Sequence, residues 1–287
     1  MEQALTVEGR QRGYLLHVPA KSASPAPLLL ALHGGGGDAE FMQRLAQFDP
    51  LADREGFIVA YPAGVEGRWN DGREEAVTAA EDRVDDVGFL RAVVDDVVAR
   101  YAVDLGRVFI AGISNGGFMA HRMAAEAADV VAGAASVVGG MATSIGRAFA
   151  PAYPVSILII QSDADPIIPI AGGAVGMVRG KKRGEMLSTQ ETLELYLERN
   201  RIQGPPAVTT IDQDAADNIS VERFQYPVGP GGVKAEYYLV RGGGHNWPGP
   251  TPLPRNVTKS KIARDISATE VIWEFFRTCP ARTLKGS

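Results

Sequence analysis

The 287 residues are 45% hydrophobic, enough to bury a substantial core, and α/β folds of this length often stay one domain. Acidic residues outnumber basic ones by 34 to 29, and a formal charge of -5 offers no broad positive field for gripping nucleic acid. The basic runs Arg179–Arg183 and Arg255–Arg264 lack interleaved aromatics and read as solvated loops, while the longest apolar runs fall far short of the roughly 20 residues that cross a bilayer.

At the N-terminus, Met1 to Gly13 holds no apolar stretch of the roughly 7–15 residues that a signal peptide needs. Ala4–Val7 and Gln11–Val18 pattern as an antiparallel hairpin turning near Glu8-Gly9, the second strand stopping at Pro19. Leu28–Leu32, Phe57–Tyr61, Val108–Ile113 and Val155–Ile160 are short apolar runs followed by Gly, Pro, Ser or Asp, the signature of buried parallel strands. Val130–Val138 and Ala235–Val240 are weaker strand candidates. Between them, Val87, Leu90, Val94, Val97 and Tyr101 recur at 3–4 spacing and place one apolar helix stripe against a sheet. Ser188-Thr-Gln-Glu191 and Ser267-Ala-Thr-Glu270 have the capping-box form that opens helices. Residues Ala171–Leu187, rich in Gly, Lys and Arg, read as a mobile excursion. The single cysteine, Cys279, cannot form an internal disulfide and fits a reducing compartment. As it stands the chain reads as cytoplasmic; a leader removed beforehand would leave no trace and would make it an exported protein. Alternating strands and helices predict a mostly parallel central sheet with helices on both faces, as one catalytic domain over 1–287.

Four motifs carry chemistry. Gly112-Ile-Ser-Asn-Gly116 follows the apolar run Val108–Ile110 and leads into a helix-like segment from Asn115 to Ala127. A G-x-S-x-G turn there holds the serine in strained geometry, and glycines two residues either side leave room for it. That makes Ser114 the candidate nucleophile; a chance match of common residues is the bland reading, and the position between strand and helix argues against it. His33-Gly-Gly-Gly-Gly37 follows the first buried strand, where backbone N–H groups can face a developing oxyanion. The donors are assigned to the backbones of Gly35 and Asn115, and His33 to bracing the loop. Asp163-Ala-Asp165 closes the Val155–Ile160 strand, where a carboxylate can orient a histidine or simply make a turn. Pro166 restricts Asp165 to extended backbone, which favours Asp165 over Asp163 as the orienting acid. Gly242-Gly-Gly-His-Asn-Trp-Pro248 puts His245 on a glycine-rich loop beyond a strand, as the general base. His17 and His121 fall within a strand and a helix and default to structural roles. Ser, then Asp, then His is the order along the chain that α/β-hydrolases use.

Trp69 and Trp247 flank these motifs and could each wall a substrate pocket or simply pack; Trp273, on the last helix, is read as packing. Asp82, Asp85 and Asp86 resemble a metal cluster but sit at a helix start, where carboxylates favour the dipole, with no histidines spaced nearby; no metal is assigned. No other cofactor is called for either.

Taken together, Gly13-Tyr-Leu-Leu-His-Val-Pro19, Ala31-Leu-His-Gly-Gly35, Trp69-Asn70, Asp85-Asp-Val-Gly-Phe89, Ser114-Asn-Gly-Gly117, Asp165-Pro-Ile-Ile-Pro169, Gly243-Gly-His-Asn-Trp-Pro248 and Val271-Ile-Trp-Glu-Phe-Phe276 resemble the polyhydroxybutyrate depolymerase and feruloyl esterase group of α/β-hydrolases. The resemblance implies the α/β-hydrolase fold and a catalytic aspartate just before the first proline of its loop, here Asp165. It also implies extracellular or periplasmic work on polyesters or on phenolic esters of plant polysaccharides. Two departures stand out: Gln161-Ser162 replaces the usual His-Gly before the aspartate loop, and one cysteine cannot supply the disulfides of secreted members. The reading is a serine carboxylic ester hydrolase for small-molecule or polymeric esters of short-chain, hydroxyalkanoate or feruloyl-type acids, with no nucleic-acid or membrane partner. Two rivals remain: a peptidase or amidase of the same fold would prefer an anilide to the matching ester, and an idle binding module would ignore a fluorophosphonate probe.

Overall fold

The computed structural model describes residues 1–73, 84–176, 183–249 and 261–283; Asp82 and most of both basic runs lie outside them. The elements run β1 (Glu2–Val7), β2 (Arg10–His17), β3 (Ala26–Leu32), α1 (Ala39–Ala46), α2 (Phe48–Glu55), β4 (Ile58–Pro62), α3 (Asp86–Arg100), β5 (Val103–Ile113), α4 (Asn115–Glu126), β6 (Gly133–Val137) and α5 (Thr143–Arg147). They continue with β7 (Ser156–Ser162), β8 (Gly173–Ala174), β9 (Glu185–Met186), α6 (Thr189–Arg199), β10 (Ala207–Ile211), β11 (Ser220–Gln225), β12 (Ala235–Arg241) and α7 (Ala268–Arg277).

Ten strands form one sheet in the order β1-β2-β4-β3-β5-β6-β7-β12-β11-β10. The six from β4 to β12 are parallel, and each edge carries two antiparallel strands. The predicted N-terminal hairpin is present, and Glu8 and Gly9 take φ of 49° and 75°, as a turn matched to strand twist requires. On β3 the period of two is explicit. Leu28, Leu30 and Leu32 pack on one face with Phe89, Val93, Met119 and Met123, while Leu29 and Ala31 pack on the other with Met42, Phe48, Ile272 and Phe276. Helices α3, α4 and α6 therefore cover one face, and α1, α2 and α7 the other.

The far-edge pair β10–β11 was not predicted. β10 is exposed along most of its length, so it carries neither an apolar run nor a strict alternation, and only pairing to β11 makes it a strand. The Ser188 capping box is complete on both sides. At Ser267 one half is present: its side chain accepts the Glu270 N–H, but the Glu270 carboxylate pairs with Arg54 instead. The segment 171–187 expected to be a mobile excursion is tied down where it is described. β8 pairs with β9, the Leu187 N–H donates to the Met141 carbonyl, and Val175 and Met186 bury against Phe118 and Ile168. Among the described residues, no helix is long and apolar enough to cross a membrane.

Candidate active site

Because β5, β7 and β12 are parallel, their C-terminal ends open on one edge of the sheet, and Ser114, Asp165 and His245 each follow one of them. Ser114 has φ 54° and ψ −119°, a left-handed conformation costing about 1–3 kcal/mol in a non-glycine residue. The surroundings impose it: its N–H donates to the Val137 carbonyl and its own carbonyl accepts the Phe118 N–H. Both flanking glycines are required by close approach. A Cβ on Gly112 would overlap the Gly116 carbonyl, and one on Gly116 would lie 2.5 Å from the Leu32 carbonyl oxygen. Gly112→Ala is accordingly expected to lower the thermal midpoint by several degrees and to remove activity, by forcing the turn open. Unchanged melting would refute this account of the turn.

The carboxylate facing His245 is Asp165. Its Oδ2 lies 2.7 Å from Nδ1 of His245, while its Oδ1 accepts the N–H groups of Ile167 and Ile168 at 2.7 and 2.9 Å. The Asp165 side chain is shielded from solvent, and three polar hydrogens on one carboxylate fix its rotamer. Asp163 points elsewhere: it accepts the Gly242 N–H at 2.8 Å and pairs with Arg241. That bond pins the start of the His245 loop, whose Gly244 N–H and Asn246 side chain reach the Lys261 carbonyl. The departure at Gln161-Ser162 is absorbed structurally. Ser162 Oγ donates to the Gly243 carbonyl, and Gln161 Nε2 donates to the Ile168 carbonyl, so both residues brace the loops of Asp165 and His245.

The glycine-rich loop after β3 lies against the serine turn. A Cβ on Gly34 would sit 3.4 Å from that of Ser114, and one on Gly35 would sit 3.7 Å from that of Asn115. Gly36 and Gly37 commit their N–H groups to the Gly67 and Gly34 carbonyls. Asn115 is the first residue of α4, so its N–H lies at the positive end of the helix dipole. His33 does brace this loop. Nδ1 donates to the Gly34 carbonyl, Nε2 accepts the Gly64 N–H, and burial pushes its pKa below the ordinary value, which keeps the ring neutral. His17 pairs with Asp53, and buried His121 bonds the Tyr196 hydroxyl.

Both flanking tryptophans are packed rather than presented. Trp69 is 1% exposed and donates its indole N–H to the His33 carbonyl. Trp247 is 2% exposed, donates to Thr269 and meets Phe48 edge-on. Their proximity in sequence to the motifs reflects bracing of the motif loops from behind. Trp273 stacks on Phe57 within the core.

A network around the Asn115 side chain escaped sequence reasoning. Asn115 Oδ1 accepts the Trp69 N–H, and its Nδ2 donates to the Trp69 carbonyl and to Asp71 at 2.6 Å. Asp71 is held by Arg73 through both Nε and Nη2, and the Arg73 guanidinium lies 4.1 Å over the Phe118 ring. Behind it, buried Asp86 pairs with Arg12 and accepts the Asn70 N–H, with burial pushing its carboxyl pKa up against those contacts. Asp85 caps α3 through the Gly88 N–H. No cluster able to hold a metal exists among the described residues. The only sequence cue to the network is the i, i+2 pair Asp71-Gly-Arg73 next to Trp69-Asn70.

A profile of the family described as Esterase PHB depolymerase matches residues 12–182. The chain is 34% identical to a putative esterase, NocK, of Nocardia uniformis subsp. tsuyamanensis, over 94% of this chain and 80% of that protein. It is 30% identical to feruloyl esterase B of Piromyces equi over 77% of this chain and 39% of the relative. In three dimensions it resembles the acetyl xylan esterase of Aspergillus awamori, with a TM-score of 0.61 at 18% identity over 86% of this chain and 94% of that one, a likeness of fold. By the extent of the family match and the identity to these relatives, the chain belongs to the polyhydroxybutyrate depolymerase family of esterases, carboxylic ester hydrolases built on the α/β-hydrolase fold.

Proposed function

We propose that this esterase is a serine hydrolase working through an acyl-enzyme, with Ser114 as nucleophile, His245 as general base and Asp165 as the acid that orients it. The observation that carries the reading is the strained Ser114, held at the sheet edge onto which the hydrogen-bonded Asp165–His245 pair also opens. With its Nδ1–H donated to the Asp165 carboxylate, a neutral His245 keeps its lone pair on Nε2, the nitrogen that takes the Ser114 proton as Oγ attacks the ester carbonyl. The oxyanion accepts from the Gly35 and Asn115 N–H groups, fixed donors that need no reorganisation as charge develops. His245 then protonates the leaving alcohol, and a water repeats the sequence to release the acid. Reaction with a fluorophosphonate, lost in Ser114→Ala, tests the assignment; labelling that survives the substitution would overturn it.

The substrates are short-chain, hydroxyalkanoate or aromatic acyl esters. The relatives' names as esterases, one of them a feruloyl esterase, support the class, and the segment between β7 and α6 supports the size. That segment buries Val175 and Met186 against Phe118, so these apolar side chains are spent on packing and offer no sleeve to a long acyl tail. On 4-nitrophenyl esters, kcat/KM is expected to fall from butyrate to palmitate. A panel of these with methyl ferulate and a hydroxybutyrate oligomer checks it, and faster palmitate turnover would sink it.

A further inference from the structure

The two backbone N–H groups assigned to the oxyanion belong to different places in the chain, Gly35 after β3 and Asn115 at the start of α4, so neither loop fixes their separation by itself. A third segment, residues 64–73 after β4, touches both. It meets the glycine-rich loop at three points. The Gly64 N–H donates to His33 Nε2 at 2.9 Å, the Gly67 carbonyl accepts the Gly36 N–H at 2.7 Å, and the Trp69 indole donates to the His33 carbonyl at 2.9 Å. The approach is close enough that a Cβ on Gly67, at φ +71°, would lie 2.9 Å from the Gly37 carbonyl oxygen. The same segment also holds the first turn of α4. The Asn115 amide accepts the Trp69 N–H at 2.9 Å and donates to the Trp69 carbonyl at 3.1 Å, pairing with one residue's backbone as a neighbouring strand would. That leaves one Nδ2 hydrogen, and a buried amide hydrogen needs an acceptor. Asp71 supplies it at 2.6 Å. Its charge, wholly out of water, is met by Arg73, whose guanidinium also lies over the Phe118 ring one turn further along α4. Each polar atom of the Asn115 side chain is thereby committed to this segment.

We propose that segment 64–73 sets the spacing of the two donors, with Asp71 as a positioning residue that acts through the Asn115 side chain. This rests on the reading of Ser114 as nucleophile and of the Gly35 and Asn115 N–H groups as donors. An oxyanion hole works when its N–H groups are fixed in advance, about 2.7–3.1 Å from where the charge develops. A misplacement of about 1 Å can cost on the order of a hundredfold in rate. The first N–H groups of a helix have no intrahelical partner, so the direction of the Asn115 N–H depends on what holds that turn from outside. Here the amide clasp and the Asp71–Arg73 pair tie it to the segment that also grips the Gly35 loop. Because the donor is a backbone group, a substitution at Asn115 removes the clasp and keeps the donor.

The test uses Asn115→Ala and Asp71→Ala, singly and together, with turnover counted per serine that a fluorophosphonate titrates to completion, so that misfolded protein does not enter the rate. Asp71→Asn keeps the volume and an acceptor, and replaces Asp71→Ala in the series should the alanine variant not fold. Asn115→Ala is expected to lower kcat by about ten- to a hundredfold, less than the roughly 10²–10³ that loss of a whole donor costs, with KM changed less than about twofold. The dissociation constant of a trifluoromethyl ketone, whose adduct with the serine places an oxyanion in the same hole, is expected to rise by the same factor. Asp71→Ala is expected to show the same pattern, and the double variant to match Asn115→Ala within about twofold, because the two residues act along one path. Losses that multiply in the double variant would show that Asp71 works by another route and would overturn its assignment. Fewer titratable serines and a lower melting temperature, with kcat per titrated serine and ketone affinity unmoved, would make the network structural only and overturn the proposal. Titration of the wild type that survives Ser114→Ala is a separate failure: it removes the nucleophile, and this proposal with it.

Discussion

Ser114→Ala is expected to cut turnover on the order of a million-fold while leaving the protein folded, as loss of the nucleophile does in serine hydrolases. The backbone geometry at this position is imposed from outside the residue. Its N–H and carbonyl are both engaged, and Gly112 and Gly116 are pressed against one another and against β3. Alanine meets the same positive-φ penalty as serine and removes one oxygen, so the melting temperature should move little. Turnover by purified variant of more than a few per cent of the wild type would remove Ser114 from the mechanism. A large fall in melting temperature would show that the hydroxyl also stabilises the turn.

Asp165→Asn is expected to lower kcat roughly 10⁴-fold, because an amide facing Nδ1 favours the wrong tautomer of the histidine. The two neighbouring aspartates make a paired experiment. Asp165 places one oxygen on His245 and the other on two backbone N–H groups, whereas Asp163 reaches the Gly242 N–H and Arg241. In Asp163→Asn the side-chain oxygen still accepts from Gly242, and the pair with Arg241 is half-exposed, so the expected loss is a small fraction of that at Asp165. Steady-state kinetics of both variants on one ester would decide between them, and equal losses would mean that the loop, not the carboxylate facing His245, sets the rate.

The separation of these two aspartates illustrates how far local reasoning reaches. In an extended segment residues two apart would share a side, so alternation does not divide them; the restriction of Asp165 by Pro166 favours the residue that meets His245. Gln161 was visible as a departure, but its bond to the Ile168 carbonyl, which steadies the Asp165 loop, depends on a turn that no spacing encodes. The tryptophans went the other way. Position beside a motif suggested a pocket wall, and burial of 1% and 2% with indole N–H groups on His33 and Thr269 assigns them to bracing.

By itself, the sequence determined the parallel core strands, the helices α3, α4, α6 and α7, the N-terminal hairpin and the turn around Ser114. Each of these rests on contacts within a few residues or on a period of 2 or 3.6, and both are written directly in residue order. Tertiary structure decided what needs partners distant in the chain. The strand β10, exposed along most of its length, exists through its pairing with β11; the half-formed cap at Ser267 reflects the competition of Arg54 for Glu270; and Val175, Met186 and Leu187, flanking residues 177–182, are held by Phe118 and Met141. The Asn115–Asp71–Arg73 network belongs to the same class. Two buried charges are tolerated there because they meet each other and Asp71 also accepts from an amide 44 residues away, and hydrogen-bond satisfaction of that kind is settled by packing, not by pattern.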